Sequence, residues 1–351
     1  MRNPNADEVP DYVKAYWPRS PKPRRFGTSC RIREIMNVIS KENRHKPSLS
    51  FATACVATLT RKNMVLARSI SSIFYCKYEN TPRTKLYLMR KAYRLAVRVT
   101  AVSEGVADEL KVDGFGPEIV VHLAAIHFIP YCNKNPVKAV ETNILGTRYL
   151  LEACKSSKLD TFVFASSAAI YGISDSKLSE EDLPEPNDIY GFTKLTGEDL
   201  CRLFHLETGV RTIIGRLSNV YGPGETNAHV IPEIIKQLIE GKAEIELGNI
   251  EPKRDFINVK DVAEAFIALL DDLKGDFGIF NIGSGKEYSV RQILEICERI
   301  IGSEIRAKGT KSRIRKTDRM HLLSDVEKIM RETSWRPRTN IEEGLRELLR
   351  G

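Results

Sequence analysis

From residue 118 onward the apolar positions alternate between two periods. Residues 118–123 form a short continuous apolar run, read as a buried strand. A loop over 127–135 leads to residues 136–156, where Val137, Val140, Ile144, Leu145 and Leu151 recur at helical spacing. Residues 161–165 are again compact and β-prone, and they empty into Ser166-Ser167-Ala168-Ala169-Ile170-Tyr171-Gly172, a strand ending at a turn. Residues 190–208 read as a helix packed through Leu195, Leu200, Leu203 and Leu206, and 210–217 as the next strand. Helices are expected over 229–240, 262–270 and 289–301, the last capped by Ser289, and from Ile341 onward; strands are expected over 243–247, 256–259 and 278–282. This succession is that of an α/β chain.

The first 112 residues carry no comparable pattern. Pro10, Pro18, Pro21, Pro23 and Pro47 interrupt any long element there, and a helix over 31–40, a basic helix over 84–95, a strand over 98–102 and a short helix capped by Ser103 are the expectations. Charge separates the same two parts. Residues 1–112 hold 22 Lys and Arg against 9 Asp and Glu, whereas the remaining residues have an acidic surplus of 5, giving the net +8. No aromatic-interleaved basic run or nucleic-acid motif accompanies the basic part, so a solvated basic face outweighs a nucleic-acid partner. With 42% hydrophobic and 28% charged residues the composition is that of a soluble globular protein. No run reaches the roughly 20 apolar residues of a membrane span, and the polar start lacks a signal-peptide core; the expected location is cytoplasmic. Seven scattered cysteines with no Cys-x-x-Cys pair read as reduced thiols, with no metal site.

Candidate chemistry concentrates after the strand at 161–165. Tyr190 and Lys194 stand four apart, so on a helix both leave the same face one turn apart. A phenol has a pKa of about 10, and a nearby cation favours its ionised form, at roughly 1.4 kcal/mol per unit. Such a phenol can exchange a proton with a sugar or alcohol hydroxyl near neutral pH. Ser167, with Ser166 as its neighbouring alternative, lies in the turn segment that follows this strand.

Ser167 and Tyr190-x-x-x-Lys194 resemble the catalytic set of the extended short-chain dehydrogenase/reductases, in particular the nucleotide-sugar epimerases. The resemblance is an ordered series: Val121-His122-Leu123-Ala124-Ala125, Asn143-Ile144-Leu145-Gly146-Thr147, the serine segment, Tyr190 to Lys194, Arg216 to Pro223, Arg254 to Val259, and Phe280 to Gly285. It implies a Rossmann-like parallel sheet with a smaller C-terminal substrate-binding region, NAD as cofactor, and a UDP-glucose 4-epimerase-like reaction through a keto sugar. It further implies that Tyr190 is the acid and base, that Ser167 orders the hydroxyl, that Lys194 lowers the tyrosine pKa, and that Asn143 holds the geometry, or serves as a plain buried anchor. Leu123, Ala124 and Ala125 would lie against NAD, together with Asn143, Tyr190 and Lys194. Asn219, Arg254 and Arg315 would bind the nucleotide diphosphate, with a salt bridge to Asp255 or Asp261 as the other use of Arg254, and Arg313 and Arg319 as rivals of Arg315. His122 reads as a packed core histidine. Ala168-Ala169 stand where related dehydratases place an acid and a base, which leaves epimerisation or a simple oxidation. The helices at 136–156 and 190–208 would form a homodimer face.

Two features of the N-terminal part depart from that family. A complete epimerase opens on a Gly-x-x-Gly-x-x-Gly turn roughly 60 to 75 residues before His122, and no glycine lies between Gly27 and Gly105. Residues 90–110 instead resemble the end of the N-terminal domain of a two-domain, glycogen-synthase-like glycosyltransferase. The expected organisation is therefore a basic region over 1–112, glycosyltransferase-like at its end, joined to an epimerase-like domain over 113–351 whose sheet is incomplete at its N-terminal half. A fusion remnant that at most binds a nucleotide sugar is the alternative function.

Overall fold

The computed structural model describes residues 66–67, 119–155, 157–225, 227–309 and 319–350. The chain divides into Met1–Arg44 and His45–Gly351, and every described residue belongs to the second unit. The elements expected over 1–112, the junction with the epimerase-like part and Arg315 lie outside the described residues, apart from a two-residue strand β1, Leu66–Ala67.

β1 pairs with β2 (Ile119–His122), which pairs with β3 (Thr161–Ser167), then β4 (Arg211–Leu217), then β8 (Phe277–Ile282), all parallel. The order β1-β2-β3-β4-β8 is that of a Rossmann-like parallel sheet, and helices lie between β2 and β3, between β3 and β4, and between β4 and β8. Near-continuous apolar strands are what burial on both faces requires: Phe162 and Phe164 turn to a cluster with Leu150, Cys201, Phe204 and Ile214, while Val163 and Ala165 turn to one with Phe266, Phe280 and Trp335. A third cluster underlies the C-terminal part, where β5 (Asn219–Tyr221), β7 (Lys253–Asn258) and β9 (Glu287–Ser289) form one small sheet and β6 (Glu244–Leu247) pairs with β10 (Arg306–Gly309). No helix among the described residues is long and apolar enough to cross a membrane.

The segment after β2 departs from the sequence expectation. Residues 127–135 contain a helix, α1 (Ile129–Lys134), started by Pro130 at a position where a missing N–H costs nothing. The helix over 136–156 is α2 (Pro136–Val140), a π-helical turn at Glu141–Leu145 and α3 (Gly146–Lys155). The wide turn changes the phase of the side chains, so Val137 (70% exposed) and Leu145 (43%) face outward, while Asn143 and Thr147 face in. α4 (Ile189–Thr208) is capped by Asp188, whose side chain accepts from Gly191 N, and ends at Gly209 in the left-handed region. Its Leu203 and Leu206, expected to pack, are exposed.

Downstream, α5 (Val230–Ile239) follows β5, and α6 (Val259–Asp272) starts earlier than expected because Asn258 caps it, accepting from Lys260 N. β7 likewise starts at Lys253, which places Asp255 inside the strand and fully buried, not in a charged approach to it. α7 (Val290–Ile301) carries the capping box begun by Ser289, and α8 (Glu327–Glu332) and α9 (Ile341–Arg350) complete the chain.

Candidate active site

β3 ends in Ser166 and Ser167, and their side chains diverge. Ser166 is buried and donates to Glu198 Oε1. Ser167 is half-buried, accepts from Ala169 N at 3.2 Å and lies close enough to the Tyr190 phenol to favour its ionised form. Of the two serines, Ser167 is therefore the one beside the tyrosine.

α4 brings Tyr190 and Lys194 to this strand end. Lys194 is 3% exposed; its Nζ donates to Ala165 O at 2.7 Å, sits 4.8 Å above the Phe164 ring and 5.9 Å from the Tyr190 ring centroid. Burial pulls the ammonium down to about 8, with Cys201 and Glu198 working the other way. Close packing is enforced by glycine: a Cβ at Gly197 would lie 2.5 Å from Phe164, and one at Gly191 2.3 Å from Ala169 O. The Tyr190 phenol is pushed above its ordinary value by burial, opposed by the Ser167 hydroxyl. The Lys194 ammonium lies over the Tyr190 ring and is bonded to Ala165 O, and burial is the largest influence on the phenol.

Asn143 joins the set. It is buried in the π turn, accepts from Ile126 N at 2.8 Å, and donates to Ile126 O at 3.0 Å and to Thr193 Oγ1 at 3.0 Å. One amide thus holds the loop after β2 to the helical turn between Tyr190 and Lys194. Thr147 Oγ1 donates to Asn143 O at 2.6 Å and stands 2.9 Å from His122 Nε2, so His122 is the donor there and its Nδ1 carries no proton. His122 is buried and held neutral, its pKa pulled down to about 3 by desolvation and by Lys194. That is the packed core histidine expected from the sequence.

The loop leaving β2 fits one end of a dinucleotide. Leu123, Ala124 and Ala125 present mostly small side chains at the C-terminal edge of the sheet, where ligands of such folds lie. Lys194 has three N–H donors and gives one to Ala165 O, which leaves donors suited to ribose hydroxyls.

The substrate-side candidates come from other elements of the chain. Asn219 opens β5, half-buried. Arg254 Nη1 donates to Lys253 O and Arg319 O, both at 2.7 Å. Arg319, a rival of Arg315 for the diphosphate, donates from Nη2 to Ala169 O at 3.2 Å, in the turn that follows Ser167. Asp255 accepts from Ser284 and Gly285, and Asp261 from Arg338 N and Thr339 N. Sequence reading missed Glu198. It follows Lys194 by four and Tyr190 by eight, a spacing that was visible. Arg216, placed by the sequence at the ligand edge, turns into the sheet face instead and pairs with Glu198, Nη2 to Oε2 at 2.9 Å.

Residues 92–283 match the NAD dependent epimerase/dehydratase family. The chain belongs to that family. The match begins at residue 92, inside the segment expected to be glycosyltransferase-like, and so lends that second resemblance no support. The GDP-6-deoxy-D-mannose reductase of Pseudomonas aeruginosa is 30% identical over 243 residues, 66% of this chain and 79% of the relative. The solved structure of UDP-glucose 4-epimerase from Thermotoga maritima with UDP-glucose superposes with a TM-score of 0.71 at 26% identity, covering 86% of this chain and 94% of that one. A UDP-glucuronic acid 4-epimerase from Bacillus cereus, solved in complex with NAD, is 30% identical with a TM-score of 0.60, covering 68% and 72%. Other relatives of the family include reductases and a dehydratase. The family is described as NAD dependent, its curated relatives include nucleotide-sugar epimerases, and solved relatives include complexes with NAD and with a UDP-sugar together with NAD.

Proposed function

We propose that this chain is a nucleotide-sugar epimerase of the UDP-glucose 4-epimerase type. The convergence of Ser167, Tyr190 and Lys194 on one strand end carries the reading, with Asn143 binding the loop after β2 to the helix that presents the other two. The methyl groups of Ala168 and Ala169, buried in the turn after Ser167, offer no acid or base for eliminating water.

In this reading Ser167 orients the sugar 4-hydroxyl, and Tyr190 takes its proton as the keto sugar forms and gives a proton back to the keto oxygen once the sugar has turned over, so that the restored C–H bond lies on the opposite face. A tyrosine whose phenol is raised by burial depends on local charge to ionise, and Lys194, with the cofactor's own charge, is the group placed to help. NAD, when bound, supplies the hydride acceptor and donor; Leu123, Ala124, Ala125, Asn143, Tyr190 and Lys194 would hold its nicotinamide end. Asn219, Arg254 and Arg315 would hold the diphosphate, where planar multi-donor cations are suited to the task. The exposed Leu203, Leu206, Val137 and Tyr149 on α2 to α4 would be covered in a homodimer, and the enzyme would work in the cytoplasm.

Calorimetry with NAD on the purified full chain, followed by interconversion of UDP-glucose and UDP-galactose, tests this. The expected result is NAD binding, turnover, and at least about a 100-fold loss of kcat in Tyr190→Phe with NAD binding retained. No binding at millimolar NAD favours the second reading, a remnant that binds nucleotide sugar without turning it over; the glycine-free stretch before residue 105 is the observation behind that reading.

A further inference from the structure

Tyr190, Lys194 and Glu198 form one stripe of α4, spaced by single turns. The stripe faces three consecutive residues of β3: Lys194 donates to Ala165 O, Glu198 accepts from Ser166 Oγ, and Tyr190 lies beside the Ser167 hydroxyl. Ser166 is also the first member of a row across the sheet. The parallel register sets it beside Arg216 of β4, and Arg216 beside Asn281 of β8. All three are buried, at 2%, 3% and 0% exposure.

Glu198 closes the row from above. Arg216 Nε donates to its Oε1 at 3.1 Å and Nη2 to its Oε2 at 2.9 Å, while Arg216 Nη1 donates to Tyr171 OH at 2.9 Å. Tyr171 donates to Asn281 Oδ1 at 2.7 Å, and Asn281 Nδ2 donates to Leu178 O and Asp325 O. Every polar group of the row thus has a partner, as burial at low dielectric demands.

We propose that Glu198, locked by Ser166 and Arg216, is a positioning residue for Lys194: it fixes the register of α4 on the end of β3 and is the anion that keeps the neighbouring ammonium in place. The groups acting on or facing Lys194 are His122 from β2, Cys132 from α1, and Tyr190, Glu198 and Cys201 from α4. His122 is neutral and burial pushes the Cys132 thiol up to about 11, with Cys201 raised further. Glu198 is the carboxylate in this set. Burial leaves the ammonium little margin at neutral pH, and the anion one turn away widens that margin. Arg216 answers the carboxylate's own burial, since an unpaired buried carboxylate would take up a proton and lose its effect.

The structural part of this inference stands without the proposed reaction; its kinetic part rests on it. The test follows Lys194 itself, by NMR titration of the full chain carrying 13Cε,15Nζ-labelled lysine, with its signal assigned by loss in Lys194→Met. In Glu198→Gln the Lys194 midpoint should fall by about one pH unit, and in Glu198→Asp it should stay near the wild-type value. Should Glu198→Gln not fold, the neutral pair Glu198→Gln with Arg216→Met should show a smaller fall of the same sign, because the opposing charge goes too. If the wild type turns over, kcat of the folded variant should drop increasingly toward alkaline pH, with KM for the nucleotide sugar unchanged. An unchanged Lys194 midpoint overturns the proposal, as does a kcat loss equal at every pH. Absence of NAD-dependent turnover in the wild type would remove the proposed function and leave the titration standing.

Discussion

The two most deeply buried carboxylates among the described residues are accommodated by opposite means. Glu198, at 1% exposure, faces a full cation, Arg216, and takes one serine hydroxyl besides. Asp255, at 0%, is met by a turn: Ser284 N and Ser284 Oγ donate to it at 2.7 Å and Gly285 N at 3.2 Å. That turn is possible because Gly283 has no Cβ, which would lie 2.4 Å from Asp255 Oδ2. Burial pushes the Asp255 carboxyl above its ordinary value despite these donors. The ion pair lies one turn along α4 from Lys194; the amide-bound carboxylate shapes a backbone turn in the C-terminal part. Neutral donors suffice to build a fold, whereas a site that must hold a buried ammonium needs an anion whose charge is itself secured.

The contrast can be broken at either carboxylate. Arg216→Met leaves Glu198 buried without its cation and should cost about 3–5 kcal/mol in urea unfolding, most of it recovered when Glu198→Gln is added. A single variant no less stable than wild type would erase the distinction. Asp255→Asn turns an amide toward the N–H groups of the 284–285 turn and should cost about 2 kcal/mol, with no change in the Lys194 titration.

Lys194→Met should do the reverse, raising stability while abolishing turnover. A fall from 10.5 to about 8 corresponds to about 3 kcal/mol of destabilisation at neutral pH, offset by about 1 kcal/mol for the lost bond to Ala165 O, so a net gain of about 2 kcal/mol is expected. The sign has a pH signature. Between about 8 and 10.5 the unfolded chain still binds the lysine proton and the folded chain has released it, so wild-type stability gains on the methionine variant as pH rises through that window. A gap constant from pH 7 to 10 would show that Lys194 titrates normally. Leu206→Glu, on the exposed face of α4, should change monomer stability by no more than about 0.5 kcal/mol yet shift a homodimer toward monomer in sedimentation.

Much of the core and of the candidate site was legible in the sequence. The β-prone run before Ser167 and the i, i+4 pair of Tyr190 and Lys194 place chemistry at a strand end by local periodicity alone, and Ser289 announced its own helix. What escaped depends on information that is not local. α1 is too short to show a period, and only Pro130 marks its start. Leu203 and Leu206 look like core because an apolar side chain carries no sign of whether its cover lies in the same chain. Arg216 sits at the edge where ligands gather, but its partner is 18 residues back in the chain, on a different element. The in-register row of Ser166, Arg216 and Asn281 exists only once three strands are aligned.

The π turn at Glu141–Leu145 behaves as an added residue carried within a helix. Removing one residue there would leave a continuous α-helix of nearly the same length but rotate one half against the other by about 100°. Asn143 would then swing away from Ile126 and Thr193, and the outward apolar side chains of α2 and α3 would fall out of line. In this helix, a single step of chain length works as a phase key: it lets one face serve the site and another face serve solvent or a partner, and a deletion that no composition measure would notice would uncouple the two.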